Sequence, residues 1–140
     1  MKKYLTTIFI LLITTIMSSQ NQNSRVEVTI ENIKNDKGII LVGLYKDPAK
    51  FLKIPFKYEK IKAKKGSVNC TFMDVAPGEY AISLFHDENE NGKLDTNFIG
   101  IPKEAYGVSN NAKNTFSAPE WKNAKFTVSD GKTVTHNIKL

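Results

Sequence analysis

The sequence predicts an all-β fold, a single immunoglobulin-like or transthyretin-like β-sandwich of about seven strands. Three observations predict it. Apolar and polar residues alternate with period two through most of the chain, the pattern of strands with one buried face. No window long enough for a packed helix carries apolar residues at helical spacing. Turn residues interrupt the alternation at short intervals, as in two-sheet folds.

The N-terminus reads differently. Met1 to Ser19, MKKYLTTIFILLITTIMSS, places two lysines before an apolar run and small residues after it, the layout of a secretory signal peptide. The run is short for a transmembrane helix; the alternative is an uncleaved anchor. Cleavage after Ser19 takes the chain from 140 residues to 121, one domain with a real core. The expected organisation is a signal peptide over 1–19, a disordered leader over 20–23 and the sandwich over 24–140. No cysteine lies near the cut, so lipid attachment is not expected. The mature protein is expected to be secreted or periplasmic, with no membrane span. Without Lys2 and Lys3 the 20 basic residues fall to 18 against 14 acids, a net charge of +4. That excess is too small and too dispersed to indicate nucleic acid.

In order along the chain, RVEVTIENI directs Val26, Val28 and Ile30 to one face. NDKG, Asn35 to Gly38, is a turn. IILVGLY, Ile39 to Tyr45, is apolar on both faces and reads as a central strand, with Gly43 marking a bulge or a close approach. In KDPAKFL, Asp47 and Pro48 suit the N-cap and first position of one helical turn. FKYEKIKAKKG and SVNCTFMDV read as two strands joined at Lys65–Ser67. Cys70 is the only cysteine; it alternates with Val68 and Phe72, which predicts a buried, inert thiol and excludes an internal disulfide. Pro77 and Gly78 form a type II turn into EYAISLFHD. A long polar segment, 101–120, is the length of a functional or mobile loop. AKFTV and TVTHNIKL read as a C-terminal hairpin around Ser129–Gly131.

The stretch PGEYAISLFHDENENGKLDTNFIGIPKEAYGVSNNA resembles the secreted bacterial family called domain of unknown function 2141. The resemblance extends over nearly the whole mature chain, including GIILVGLYKDPAKF. It is carried at Asp87, Asn89, Asn91, Gly92 and Asp95, then at Gly100, Pro102, Glu104, Gly107, Ser109, Asn110 and Asn111. Val108 departs from the family pattern, where an aromatic is usual. The resemblance implies a small exported β-protein and supplies no reaction.

HDENENGKLD carries the clearest chemical signal. With Asp87 as position one, Asn89 is three, Asn91 five, Gly92 six, Lys93 seven and Asp95 nine, the first nine positions of a calcium loop of EF-hand type. Side-chain oxygens would converge while Gly92 permits the turn and Lys93 offers its carbonyl. Position twelve is Phe98, so a full EF-hand is rejected, and completing the shell would fall to Asn97, backbone carbonyls, water or Glu104 folding back from the next segment. With two ionised ligands assured, Ca2+ affinity would lie at roughly 0.1 to 1 mM, and removing Asp87 or Asp95 would cost little metal-free stability. Two alternatives stay open: Asn91-Gly92 as a plain hairpin tip, and a transition-metal site using His86.

No catalytic constellation is evident. His86 and Asp87 are adjacent in a strand and point to opposite faces. His136 alternates with Val134 and Ile138, as a hydrogen-bonded, half-buried histidine would. Lys60, Lys62 and Lys64 share one strand face, either guarding an edge or forming an anion patch. Tyr106, Phe116 and Trp121 would make a sugar-stacking platform or pin the loop to the core. The expected function is a non-enzymatic exported module, calcium-stabilised, with a binding or structural role in the envelope or outside the cell. Its runner-up is a carbohydrate- or polyanion-binding module using the 101–120 loop and the lysine row. Envelope polysaccharide or protein is the expected class of partner, and a hydrolase is the third reading.

Overall fold

Inward apolar faces, clearest in the alternating burial of β1 (Arg25–Ile33), build two sheets around one core. The computed structural model describes residues 24–140; the expected signal peptide and the 20–23 leader lie outside the described residues. β1 (Arg25–Ile33) is the centre of a three-stranded sheet, with β4 (Gly66–Phe72) antiparallel on one side and β8 (Thr133–Lys139) parallel on the other. The second sheet runs β3 (Lys57–Lys62), β2 (Ile39–Tyr45), β5 (Gly78–Asp87), β6 (Tyr106–Val108). β7 (Phe126–Val128) pairs with the start of β5, so the described residues contain eight strands, one more than expected.

Val26, Val28 and Ile30 of β1 meet Ile40, Val42 and Leu44 of β2 and Ile82 and Leu84 of β5 in a single apolar cluster, closed by Phe72 and Ile138. Each fully buried side chain of this kind contributes about 1.5 to 3 kcal/mol. Cys70 packs against the same cluster, and burial, assisted by the Glu59 charge, pushes its thiol up to about 12. It is half-buried, less covered than its place in the strand predicts. The helical turn Pro48–Lys50 forms with Asp47 as cap, its carboxylate accepting from the Ala49 N–H at 2.9 Å.

The strands joined at Lys65–Ser67 do not pair, and the expected C-terminal hairpin does not form. β3 and β4 belong to different sheets. Between them Ala63 is buried, its N–H donates to the Gly38 carbonyl, and the Lys65 N–H donates to Asp36; these bonds carry the chain across the core instead of back along β3. Likewise β7 and β8 flank a genuine turn, with the Lys132 N–H on the Ser129 carbonyl, but β7 pairs with β5 and β8 with β1. Their inward residues Val128 and Ile138 each reach the shared core from opposite layers. The 101–120 segment is not wholly irregular either, since it contains β6 and a 3-10 turn at Ser109–Asn111. Among the described residues no helix is long and apolar enough to cross a membrane.

Candidate functional site

The outer face of the five-stranded sheet is covered over only part of its area. Tyr45, Phe51, Ala81, Val108 and Ala124 form a second, smaller core there, with Trp121 packed against it. Trp121 opens the one-turn helix α1 (Trp121–Ala124) and meets the Phe51 ring edge-on at 5.7 Å. Beside this cap the sheet stays open as a groove of about 1110 Å³. Its floor is Leu41 and Gly43 of β2 with Ser83 and Phe85 of β5; one wall is the 92–102 loop with Tyr106, the other is segment 114–119. Gly43 marks a close approach, not a bulge: a Cβ there would stand 3.0 Å from the Tyr45 ring and 3.2 Å from Pro55, while the register with both neighbours is unbroken.

The acidic loop builds part of that wall, through Gly92, Lys93 and Leu94. Asp87 ends β5 on the outer face, fully buried, and its two oxygens accept from the Asn91 N–H at 3.1 Å and the Gly92 N–H at 2.8 Å. Asp95 stands at the other end of the loop, where the side-chain amides of Asn89 and Asn91 donate to it at 2.6 and 2.9 Å. Those bonds, Asn91 first, hold its carboxyl below the ordinary 3.8, with the Lys103 charge assisting. The amide oxygens of the same two asparagines accept from the Asn91 and Lys93 N–H groups. Glu104 clasps the loop from the next segment, one oxygen on the Glu88 N–H at 3.1 Å and the other on the Asp95 N–H at 3.0 Å. Among the described residues no three side chains of His, Cys, Asp or Glu are grouped to hold one metal ion.

The family model described as an uncharacterized protein conserved in bacteria (DUF2141) matches residues 28–136. The chain belongs to the DUF2141 family. No curated protein matches it, and no solved structure does.

The second half of the DUF2141 resemblance, Gly107 to Asn111, is not part of the groove. Ser109 is fully buried; its hydroxyl accepts from the Ile82 N–H at 2.9 Å and donates to the Ala124 carbonyl at 2.5 Å. Asn110 donates to the Asn123 and Lys125 carbonyls, and Asn111 bonds the backbone of β8 at Asn137 and Lys139. Both asparagines have positive φ, 60° and 49°, which Asn tolerates better than most side chains. Gly107 has no room for a side chain: a Cβ would stand 2.8 Å from the Lys139 carbonyl oxygen. These residues join β5, α1 and β8. The only sequence signal was their run of small and amide side chains, which reads equally as a loop.

Of the other sequence candidates, Tyr106 and Lys60 line the groove, whereas Trp121 is seated in the second core and Lys62 and Lys64 are exposed outside it. His86 points inward, fully buried, with Nε2 2.6 Å from the Lys37 carbonyl, so it and Asp87 do lie on opposite faces. His136 is half-buried as expected and stacks on Phe126 at 4.1 Å, but its buried Nε2 has no hydrogen-bond partner among the described residues. Desolvation lowers its pKa below the ordinary 6.5.

Proposed function

We propose that this DUF2141 protein is an exported, non-enzymatic binding module whose ligand surface is the groove on the outer face of the β3-β2-β5-β6 sheet. The observation that carries the reading is the groove itself: about 1110 Å³ of open space over a floor of Leu41, Gly43, Ser83 and Phe85, just above the usual range for small-ligand sites. Export is supported by the tripartite N-terminus Met1 to Ser19, and its check is an intact mass beginning near Gln20 in a secreting host. A role without catalysis is supported by the two histidines, one turned into the core and the other half-buried on Phe126. The fold is a β-sandwich of immunoglobulin-like or transthyretin-like kind, a reading favoured by the two layers and the parallel pairing of β1 with β8.

The test is a small-fragment screen read by amide chemical shifts on the uniformly labelled protein. Perturbations should cluster on Leu41, Phe85, Ile101 and Tyr106; shifts scattered over both sheets, or none, would overturn the reading.

A second reading adds calcium at Asp87, Asn89, Asn91, the Lys93 carbonyl and Asp95. It is favoured by the two amides that converge on Asp95, because turning each amide over would replace a donor by an oxygen at the same place, at the cost of the bonds their oxygens accept from the Asn91 and Lys93 N–H groups. Glu104 then acts as the clasp that brings the ends of the loop together. Calcium would stiffen the wall to which Lys93 belongs. The notion of a glycan ligand at Tyr106 and Lys60 competes with an apolar one on the same surface.

A further inference from the structure

Three lysines, Lys53, Lys60 and Lys93, stand on the groove, and no aspartate or glutamate lines it. All three are exposed. None of them is in an ion pair among the described residues, and Lys60 has only the Tyr58 ring, 6.0 Å away. Lys50, Lys122 and Lys125 elsewhere on the chain have carboxylate partners; most other described lysines have none, and what sets Lys53, Lys60 and Lys93 apart is that they gather on one groove free of acids. The groove therefore keeps its positive charge available.

The remaining lining is apolar to an unusual degree for a surface in water. Phe116 is 99% exposed, Ile99 64% and Ile101 55%, and all three face the groove alongside Leu41, Phe85 and Tyr106. Exposed apolar groups gathered at one place mark a binding surface. A glycan would need planar polar side chains to bond its hydroxyls, whereas the uncharged polar groups here are chiefly small hydroxyls, with Asn114 the one amide. Aromatic rings alone would stack a sugar face without fixing its orientation.

We propose that the groove binds a single-chain anionic amphiphile, a long-chain carboxylate in class, with its hydrocarbon over Leu41, Phe85 and Ile101 and its headgroup among Lys53, Lys60 and Lys93. This rests on the binding reading above and names the chemistry of its ligand. The apolar lining supplies affinity that grows with chain length, because each methylene removed from water adds a similar increment. The lysines select the charge of the head, since exposed pairs contribute modestly but in the same direction.

The experiment is calorimetric titration of the full mature chain with oleate, dodecanoate and octanoate below their micelle-forming concentrations, and with oleyl alcohol and cellohexaose. Oleate should bind saturably at one to one, more tightly than dodecanoate, and octanoate weakest. The triple variant Lys53→Gln, Lys60→Gln, Lys93→Gln should weaken oleate roughly three- to tenfold, the worth of a few exposed charge contacts, and leave oleyl alcohol unchanged. These side chains are exposed, and an unshifted thermal midpoint verifies that the variant folds. Tyr58→Ala, at a side chain 62% exposed on the groove rim, should weaken both amphiphiles alike. Oleate binding no tighter than oleyl alcohol, insensitivity to the triple variant, or no dependence on chain length would overturn the proposal. Binding of cellohexaose in place of oleate would also overturn it and leave the groove as a glycan site. If fragments perturb the groove but oleate does not bind, the ligand chemistry fails while the binding reading stands.

Discussion

Two polar stretches carry the family resemblance, and they do opposite things with similar side chains. In the Asp87–Asp95 loop, side chains bond to partners four to six positions away: Asp87 to the N–H groups of Asn91 and Gly92, Asp95 to the amides of Asn89 and Asn91. In Ser109–Asn111 the partners lie 13 to 28 positions away, on β5, α1 and β8. Local bonds within one loop can be exchanged for water or an ion without moving any strand. Distant bonds cannot, because each one, whether under cover at Ser109 or exposed at Asn110 and Asn111, is also a joint between elements. Similar composition therefore makes one stretch a candidate ligand loop and the other a clamp.

The largest effect that separates them is expected at Ser109. Ser109→Ala removes one hydroxyl but strands both the Ile82 N–H and the Ala124 carbonyl in a buried position. Leaving buried groups unpaired costs about 1 to 3 kcal/mol each, so a loss of about 3 kcal/mol is expected in urea unfolding. A loss below about 1 kcal/mol, within the range of ordinary surface substitutions, would break the contrast at once.

Within the acidic loop the same logic divides its two ends. Sequence reading treats Asp87 and Asp95 as equivalent ligands whose removal costs little. The structure separates them: Asp87 is fully buried and holds two backbone N–H groups, whereas Asp95 is only partly covered. Asp87→Ala should cost about 2 kcal/mol without any metal, and Asp95→Ala clearly less. Equal losses by chemical denaturation would show that the loop is one cooperative unit.

How far these roles could be read in advance follows from the range of each interaction. The alternation of β1, β4 and β5 is local and specifies their inward faces, which is why Val28, Leu84 and the place of Cys70 against the core are legible. The cap at Asp47 is legible because its bond reaches only to Ala49. Strand partners are not local. β3 and β4 read as two directly joined strands, since nothing near Gly66 announces that Ala63 is held by Gly38 and Lys65 by Asp36 and that the two strands belong to different sheets. The calcium-like spacing is visible because it needs nine consecutive residues. The groove is invisible for the converse reason, drawing its floor from Leu41 and Phe85 and its walls from two later loops. Tyr106 and Lys60 fall in it, but Trp121 does not, because Phe51, seventy positions earlier, supplies the ring it packs against.

Calcium sharpens the comparison at intermediate size. If the loop can exchange its local bonds for an ion, binding to the folded state alone adds about 1.4 kcal/mol at ten times the dissociation constant, and the melting midpoint should rise by roughly 5 °C. Magnesium should do much less, since it dehydrates reluctantly. Differential scanning calorimetry with calcium against chelator measures this directly, and Asn89→Ala with Asn91→Ala should remove the shift. A midpoint that does not move at millimolar calcium makes the loop a self-satisfied hairpin tip. Ser109→Ala, by contrast, should lower the midpoint equally with and without the ion.

The smallest effect concerns protons at Asp95. Its carboxyl is held below its ordinary value by the Asn91 and Asn89 amides, then by the Lys103 charge, against a weaker opposing effect of burial. A carboxyl lowered in the folded state stabilises the fold above its unfolded value, near 3.9, and that contribution is lost as pH falls through the lower folded value. Solvent screening at this exposed site keeps the contribution small, so the readout is the carboxyl itself, followed by side-chain carbon shifts during an acid titration. Asn91→Ala should move the Asp95 midpoint up toward the ordinary value, and Asn89→Ala should do so by less, because Asn91 is the larger cause. The sign distinguishes two states of the loop. Amides that donate to Asp95 lower its midpoint, whereas amides turned over to present oxygens would raise it by adding acceptors beside an acid. An Asp95 midpoint that falls when Asn91 is removed would mean that the amide oxygens face the carboxylate in solution, and the arrangement of donors described for the ion-free loop would be wrong.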